Sequence, residues 1–123
     1  MAKKVLIADD EQNIVISLEF LLKREGFEVF VARDGEAALQ MMADRRPDLV
    51  LLDVMMPKRS GYEVCQQIRA NSDWRGVKVI MLTAKGREIE VAKGMALGAD
   101  AYVTKPFSTK DLVAQARDLL GVA

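Results

Sequence analysis

The sequence predicts one α/β domain over residues 1–123, built on a doubly wound parallel sheet. Two observations predict it. Short, β-rich apolar runs alternate five times with segments of helical periodicity, the order produced by βα units with right-handed crossovers. Several of those runs are hydrophobic almost without interruption, as expected of strands covered by helices on both faces.

The first run is Val5–Ala8, after which Ile14, Leu18, Leu21 and Leu22 recur at helix spacing and Gly26 follows as a C-terminal stop. The second run is Phe27–Ala32. Asp34 is placed to cap a helix that turns Ala38, Met41 and Met42 inward, and Pro47 prevents its continuation. The third run, Leu49–Leu52, precedes a helix opened by Gly61 with Val64 and Ile68 on one face. The fourth, Val77–Leu82, leads to a less clearly amphipathic segment from Arg87 to Leu97, where Gly94 costs roughly 1 kcal/mol relative to Ala. After the fifth run, Ala101–Val103, Ser108 and Asp111 form a capping pair for a helix whose stripe is Leu112, Ala116, Leu119 and Leu120. No linker, repeat or low-complexity stretch interrupts the pattern.

Composition narrows the function. Half of the residues are hydrophobic and 29% are charged, the balance of a globular chain with a real core. Lys plus Arg equals Asp plus Glu at 18 each, so the basic excess that neutralises nucleic-acid phosphates is absent and direct nucleic-acid binding is not expected. Cys65 is the only cysteine; it reads as a packed helix residue in a reducing compartment. The chain has no histidine, which excludes histidine triads, histidine metal ligands and an internal phosphohistidine. Runs such as Val5–Ala8 and Val79–Leu82 are too short to span a bilayer, and the start Met1-Ala-Lys-Lys leads straight into a strand. The expected location is the cytoplasm, with no membrane contact.

In open parallel sheets the functional crevice lies beyond the carboxyl ends of the strands. There the first run leads into Asp9 and Asp10, the third into Asp53, the fourth into Thr83 and the fifth into Lys105. Singly, each has a plain reading: a helix cap for Asp9-Asp10, a turn opener for Asp53, surface residues for Thr83 and Lys105. Together they are hard to explain that way. Two carboxylates about 4 Å apart repel by roughly 4 kcal/mol at an effective dielectric near 20, so the trio needs a counter-ion or a retained proton. An oxygen-only site with room for water suits Mg²⁺ better than Zn²⁺. A carboxylate-bound cation beside a lysine and a hydroxyl is suited to phosphoryl transfer: Mg²⁺, Lys105 and Thr83 hold the equatorial oxygens while a carboxylate attacks in line. Asp53, alone on a central strand, is the expected nucleophile, and Asp9 and Asp10 the cation pair.

Four segments carry a resemblance. Ile7-Ala-Asp-Asp-Glu-Gln, Leu51-Leu-Asp-Val-Met-Met-Pro with Gly61 downstream, Met81-Leu-Thr-Ala, and Gly98-Ala-Asp-Ala-Tyr-Val-Thr-Lys-Pro-Phe resemble, in order and spacing, the response-regulator receiver family of two-component signalling. The likeness covers residues 3–121. It implies a flavodoxin-like (βα)5 fold with strand order 2-1-3-4-5, and Asp53 as phosphoacceptor. It implies that Asp10 binds Mg²⁺ directly, Asp9 through water, and that the Met55 backbone carbonyl completes the protein ligands. Thr83 and Lys105 would contact the phosphoryl oxygens, Tyr102 would be the switch aromatic that turns inward with Thr83, and Lys105-Pro106 would be a cis peptide aiming Lys105 at the site. The implied donor is a sensor histidine kinase or histidine phosphotransfer protein. The implied output is an effector held by the fourth helix, fifth strand and fifth helix, controlled by a phosphorylation-dependent change of conformation; the domain would catalyse only its own phosphorylation and dephosphorylation.

This chain departs from the family at Lys58-Arg59-Ser60, where a hydrophobic residue and Asp often precede the glycine; a solvated loop is the expectation. Met55 and Lys85 flank the site at positions the family varies. Rival readings are an Mg²⁺-dependent phosphohydrolase with Asp9 as nucleophile and Glu11 as acid or base, a flavin-binding module, and an inert receiver-like scaffold. Asp9-Asp10-Glu11 would repel a flavin phosphate at the first loop, and Glu11 is expected simply to begin the first helix.

Overall fold

A computed structural model describes residues 2–84 and 88–122, with no side-chain description for residues 84, 88 and 90. Lys85 and Arg87 lie outside the described residues. The strands are β1 (Lys4–Ala8), β2 (Glu28–Ala32), β3 (Leu49–Asp53), β4 (Lys78–Ala84) and β5 (Ala101–Lys105). The helices are α1 (Gln12–Arg24), α2 (Gly35–Arg45), α3 (Gly61–Ala70), α4 (Glu88–Ala96) and α5 (Thr109–Leu120). All strand pairs are parallel, and the order across the sheet is β2-β1-β3-β4-β5. This is the flavodoxin-like arrangement expected from the sequence.

Each central strand feeds two cores because successive side chains point to opposite faces. Leu6, Val50, Leu52 and Met81 pack with Ala38 and Met42 of α2 and Val64 and Ile68 of α3. Val5, Ile7, Leu51 and Leu82 pack on the other face with Leu18 and Leu22 of α1 and Leu112 and Ala116 of α5. Every residue of β3 is buried. Polar side chains on that strand are therefore confined to its end, where Asp53 sits.

The helix termini follow from local chemistry. Asp34 caps α2 by accepting from Ala37 N at 2.8 Å, and Ser108 caps α5 by accepting from Asp111 N at 3.3 Å, both as expected. Ser60 caps α3 through Glu63 N at 3.3 Å. The Lys58-Arg59-Ser60 stretch is therefore more than a solvated loop: Lys58, at φ 69°, also reaches Asp34 Oδ2 at 3.7 Å. Gly94 has a packing reason: a Cβ there would sit 3.2 Å from Met81 Cγ, so its low helix propensity is the consequence of bringing α4 close to β4.

Candidate functional site

The strand register assembles the site. Pairing of β1 with β3 runs to Ala8 opposite Leu52, so the next residues, Asp9 and Asp53, continue side by side. One carboxylate oxygen each from Asp9, Asp10 and Asp53 lie within 4.8 Å of one another. Asp9 is fully buried, Asp53 is 6% exposed and Asp10 faces solvent. Backbone amides two residues downstream hold two of them: Glu11 N donates to Asp9 Oδ1 at 2.8 Å, and Met55 N to Asp53 Oδ1 at 3.3 Å. The plain reading of Asp53 as a turn opener is thus correct locally and incomplete, whereas the helix cap expected of Asp9-Asp10 is not formed: Asp9 accepts from Glu11 N, ahead of the first residue of α1. Close behind, Gly61 N donates to Val54 O at 2.9 Å, and a Cβ on Gly61 would collide with the Asp53 carbonyl oxygen. Only glycine lets α3 start this close to the acidic strand end.

Lys105 reaches the cluster from β5, two strands beyond β3. Strands lie roughly 4.8 Å apart, so a short polar side chain could not bridge the gap. Its Nζ lies 2.9 Å from Glu11 Oε1, 3.0 Å from Asp9 Oδ2 and 3.5 Å from Asp53 Oδ1. The Asp9 Oδ2 contact is close but poorly angled, leaving that buried oxygen without a hydrogen bond, so its attraction to Lys105 is chiefly Coulombic. Burial, and then the neighbouring Asp9 charge, push the Asp53 carboxyl from 3.8 up to about 7; Lys105 and the Met55 amide pull against them. Burial works to lower the Lys105 ammonium, but the hydrogen bond to Glu11 and the close Asp9 and Asp53 carboxylates outweigh it and the group is raised.

This donor set fits a hard divalent cation. Three carboxylates meet, one buried oxygen has no hydrogen bond, and Asp53 is reluctant to ionise. A cation with oxygen ligands would relieve all three conditions, as Mg²⁺ does in such sites.

The Thr83 side chain is 1% exposed and its hydroxyl has no hydrogen-bond partner. Thr83 is opposite Thr104, and Tyr102, two residues back along β5, is opposite Met81. Tyr102 is 46% exposed. The Lys105–Pro106 bond is cis. Met55 lies beside Asp53 with its side chain 65% exposed; Lys85, named with it, is outside the described residues. Cys65 is buried, its thiol pushed up by that burial, in keeping with a packed helix residue.

Glu11, expected to begin the first helix and named otherwise only as the acid or base of the hydrolase rival, joins the site through Lys105. It precedes α1 without making a side-chain cap bond, and its carboxylate turns to Lys105, 94 positions away. Nothing local signals that pairing. By contrast Ser60 and Glu63 stand at capping-box spacing, a readable signal for the start of α3.

Residues 5–117 match the response regulator receiver domain. The chain belongs to that family. It is similar to a solved putative response regulator from Chloroflexus aurantiacus J-10-fl, at 33% identity and a TM-score of 0.95, covering 98% of this chain and 99% of that one. It is similar also to the chemotaxis response regulator CheY4 of Vibrio cholerae, at 30% identity and a TM-score of 0.90 over 97% and 99% of the two chains. A third likeness is to the receiver domain of a sensor histidine kinase from Pseudomonas aeruginosa PAO1, with a magnesium ion coordinated in its active-site cleft; identity is 26%, the TM-score 0.90 and the coverage 98% and 99%. The receiver is thus a signalling domain of two-component systems, whose partners are sensor histidine kinases and effectors. No helix among the described residues is long and apolar enough to cross a membrane.

Proposed function

We propose that Asp53 accepts a phosphoryl group from a phosphohistidine on a partner protein, in an Mg²⁺-dependent reaction, and that the modified receiver changes its affinity for an effector. The observation that carries this reading is the Asp53 carboxylate held among Asp9, Asp10 and Lys105 Nζ at the end of the central strand. The chain lacks histidine, so the donor imidazole belongs to another molecule, a histidine kinase or phosphotransfer protein. In the transfer, an Asp53 carboxylate oxygen bonds to phosphorus as the P–N bond breaks, and the electron pair returns to the imidazole nitrogen.

Asp10, Asp53 and the Met55 carbonyl would hold Mg²⁺ directly, with Asp9 through water. Held there, Mg²⁺ would supply positive charge against the transferring oxygens. Lys105 Nζ supplies a mobile positive charge to the same oxygens, and Thr83 supplies a hydroxyl otherwise unpaired. Phosphorylation adds roughly two negative charges. Drawing Thr83 and Lys105 toward them gives Tyr102 space to turn inward and couples the site to α4, β5 and α5. A groove of about 660 Å³ on that surface, lined by Met95, Tyr102, Thr104, Phe107, Asp111 and Gln115, is the proposed effector site. A full switch requires roughly 5.5 kcal/mol of differential stabilisation, within reach of a few charge-assisted contacts. The free, buried thiol and absence of other cysteines suit the cytoplasm.

Acetyl phosphate with Mg²⁺ tests the reading. The wild type should gain one phosphoryl mass on Asp53, and Asp53→Asn none. Modification of Asp9, which is fully buried beside Lys105, would instead favour the hydrolase reading. No incorporation at all would restore the inert scaffold.

A further inference from the structure

Lys105 has three N–H donors and three carboxylates within 3.5 Å, from Glu11, Asp9 and Asp53. Its side chain is only 15% exposed, so water is a minor partner. The shortest of the three contacts, to Glu11 Oε1, is a hydrogen bond, so an additional acceptor on Asp53 can draw Nζ fully to itself only by loosening one of them. The three are not equally easy to release. Asp9 is fully buried, and its other oxygen is fixed by Glu11 N at 2.8 Å; moved from Lys105 it would carry an unpaired charge in the interior, which is costly. Asp53 is the group being modified. The Glu11 side chain is 57% exposed, and on leaving Lys105 it is rehydrated at little cost.

We infer that Glu11 is a releasable latch: its carboxylate holds the Lys105 ammonium at 2.9 Å, closer than the 3.5 Å to Asp53, in the resting receiver and yields it when a phosphoryl group arrives. Glu11 is a positioning residue in this account, acting through Lys105. The inference rests on the phosphoacceptor reading, extending it to how the resting site is held off. It separates two roles of one residue, since the Glu11 backbone amide orders Asp9 while the side chain restrains Lys105. Substituting the side chain leaves the first role in place.

The test uses Glu11→Gln and Glu11→Asp with two readouts. Beryllofluoride with Mg²⁺, titrated by ¹H–¹⁵N NMR, probes a phosphoryl-like group on Asp53. Because the Glu11 end of the pair is exposed, both variants should bind it about three- to five-fold more tightly than wild type. Glu11→Asp keeps the charge but is one methylene too short to reach. If it binds like wild type while Glu11→Gln tightens, general charge rather than a latch is responsible and the proposal is overturned. The second readout needs no cation: the Lys105 ¹⁵Nζ ammonium resonance of the metal-free protein should shift and exchange faster in both variants. An unmoved resonance overturns the latch even if the wild type takes beryllofluoride. A wild type that ignores beryllofluoride, with the Nζ resonance still moved by the variants, overturns the phosphoacceptor reading and leaves the Glu11 contact standing.

Discussion

The unfavourable environment of Asp53 yields a quantitative prediction: Asp53→Asn stabilises the metal-free protein, increasingly so as pH rises. Burial and the Asp9 charge lift the carboxyl from 3.8 to about 7 in the folded chain. Between those values the folded state keeps a proton that the unfolded state has already released, so stability falls as pH rises through this window. The full penalty is present above pH 7 and vanishes below pH 4. At 1.36 kcal/mol per unit it amounts to about 4 kcal/mol, a large part of a small domain's total. Asparagine has the same shape and no proton to lose. In urea denaturation with a chelator present, the gain of Asp53→Asn over wild type should be roughly 2 to 3 kcal/mol larger near pH 8 than near pH 5. Lys105 is raised, not lowered, and remains charged in both proteins over this range, so it does not contribute to the difference. Added Mg²⁺ should restore stability to wild type at the higher pH and give much less to the variant. A difference that does not change with pH, or a wild type indifferent to Mg²⁺, would refute the electrostatic account of the site.

Three further outcomes are expected. Thr83→Val keeps the buried shape while removing a hydroxyl with no partner; it should raise stability by about 1 kcal/mol while uncoupling Tyr102 ring resonances from beryllofluoride binding, and a loss of stability would show that the hydroxyl is paired. Gly61→Ala forces a Cβ into the Asp53 carbonyl; it should cost about 3 kcal/mol in urea denaturation and weaken Mg²⁺ binding measured by calorimetry. Arg69→Ala removes bonds from Nε to Gly98 O at 2.8 Å, Nη1 to Val77 O at 2.7 Å and Nη2 to Asp100 Oδ2 at 2.7 Å; the expected loss is about 3 kcal/mol, with Arg69→Lys a poor rescue because it lacks the planar fork, as thermal unfolding of both variants would establish.

The elements that announced themselves in the sequence are those whose formation is local or periodic. Alternating apolar runs and capping residues such as Asp34 and Ser108 depend on neighbours a few positions away, and the continuous hydrophobicity of Leu49–Leu52 reflects burial on both faces. Even the candidate site was legible in outline, because parallel strands deliver their last residues to one edge whatever their order. The cap of α3 by Ser60 uses the same local chemistry, although from sequence that helix is opened at Gly61 and Ser60 is placed in a solvated loop.

Pairings across the sheet are a different matter. Glu11 and Lys105 are 94 residues apart, and their contact exists only because the 2-1-3-4-5 order sets the distance that a lysine must span from β5. Gly94 looked like a weak point until its contact with Met81 gave the reason. The lifted Asp53 carboxyl likewise arises from exclusion of water and the closeness of Asp9, quantities that no spacing along the chain encodes. The sequence alone determined which chemical groups reach the functional edge. Tertiary packing decided how far apart they stand, which of them lose water, and therefore which charges are held in balance, because distance and dielectric set electrostatic energies and both are properties of the folded chain.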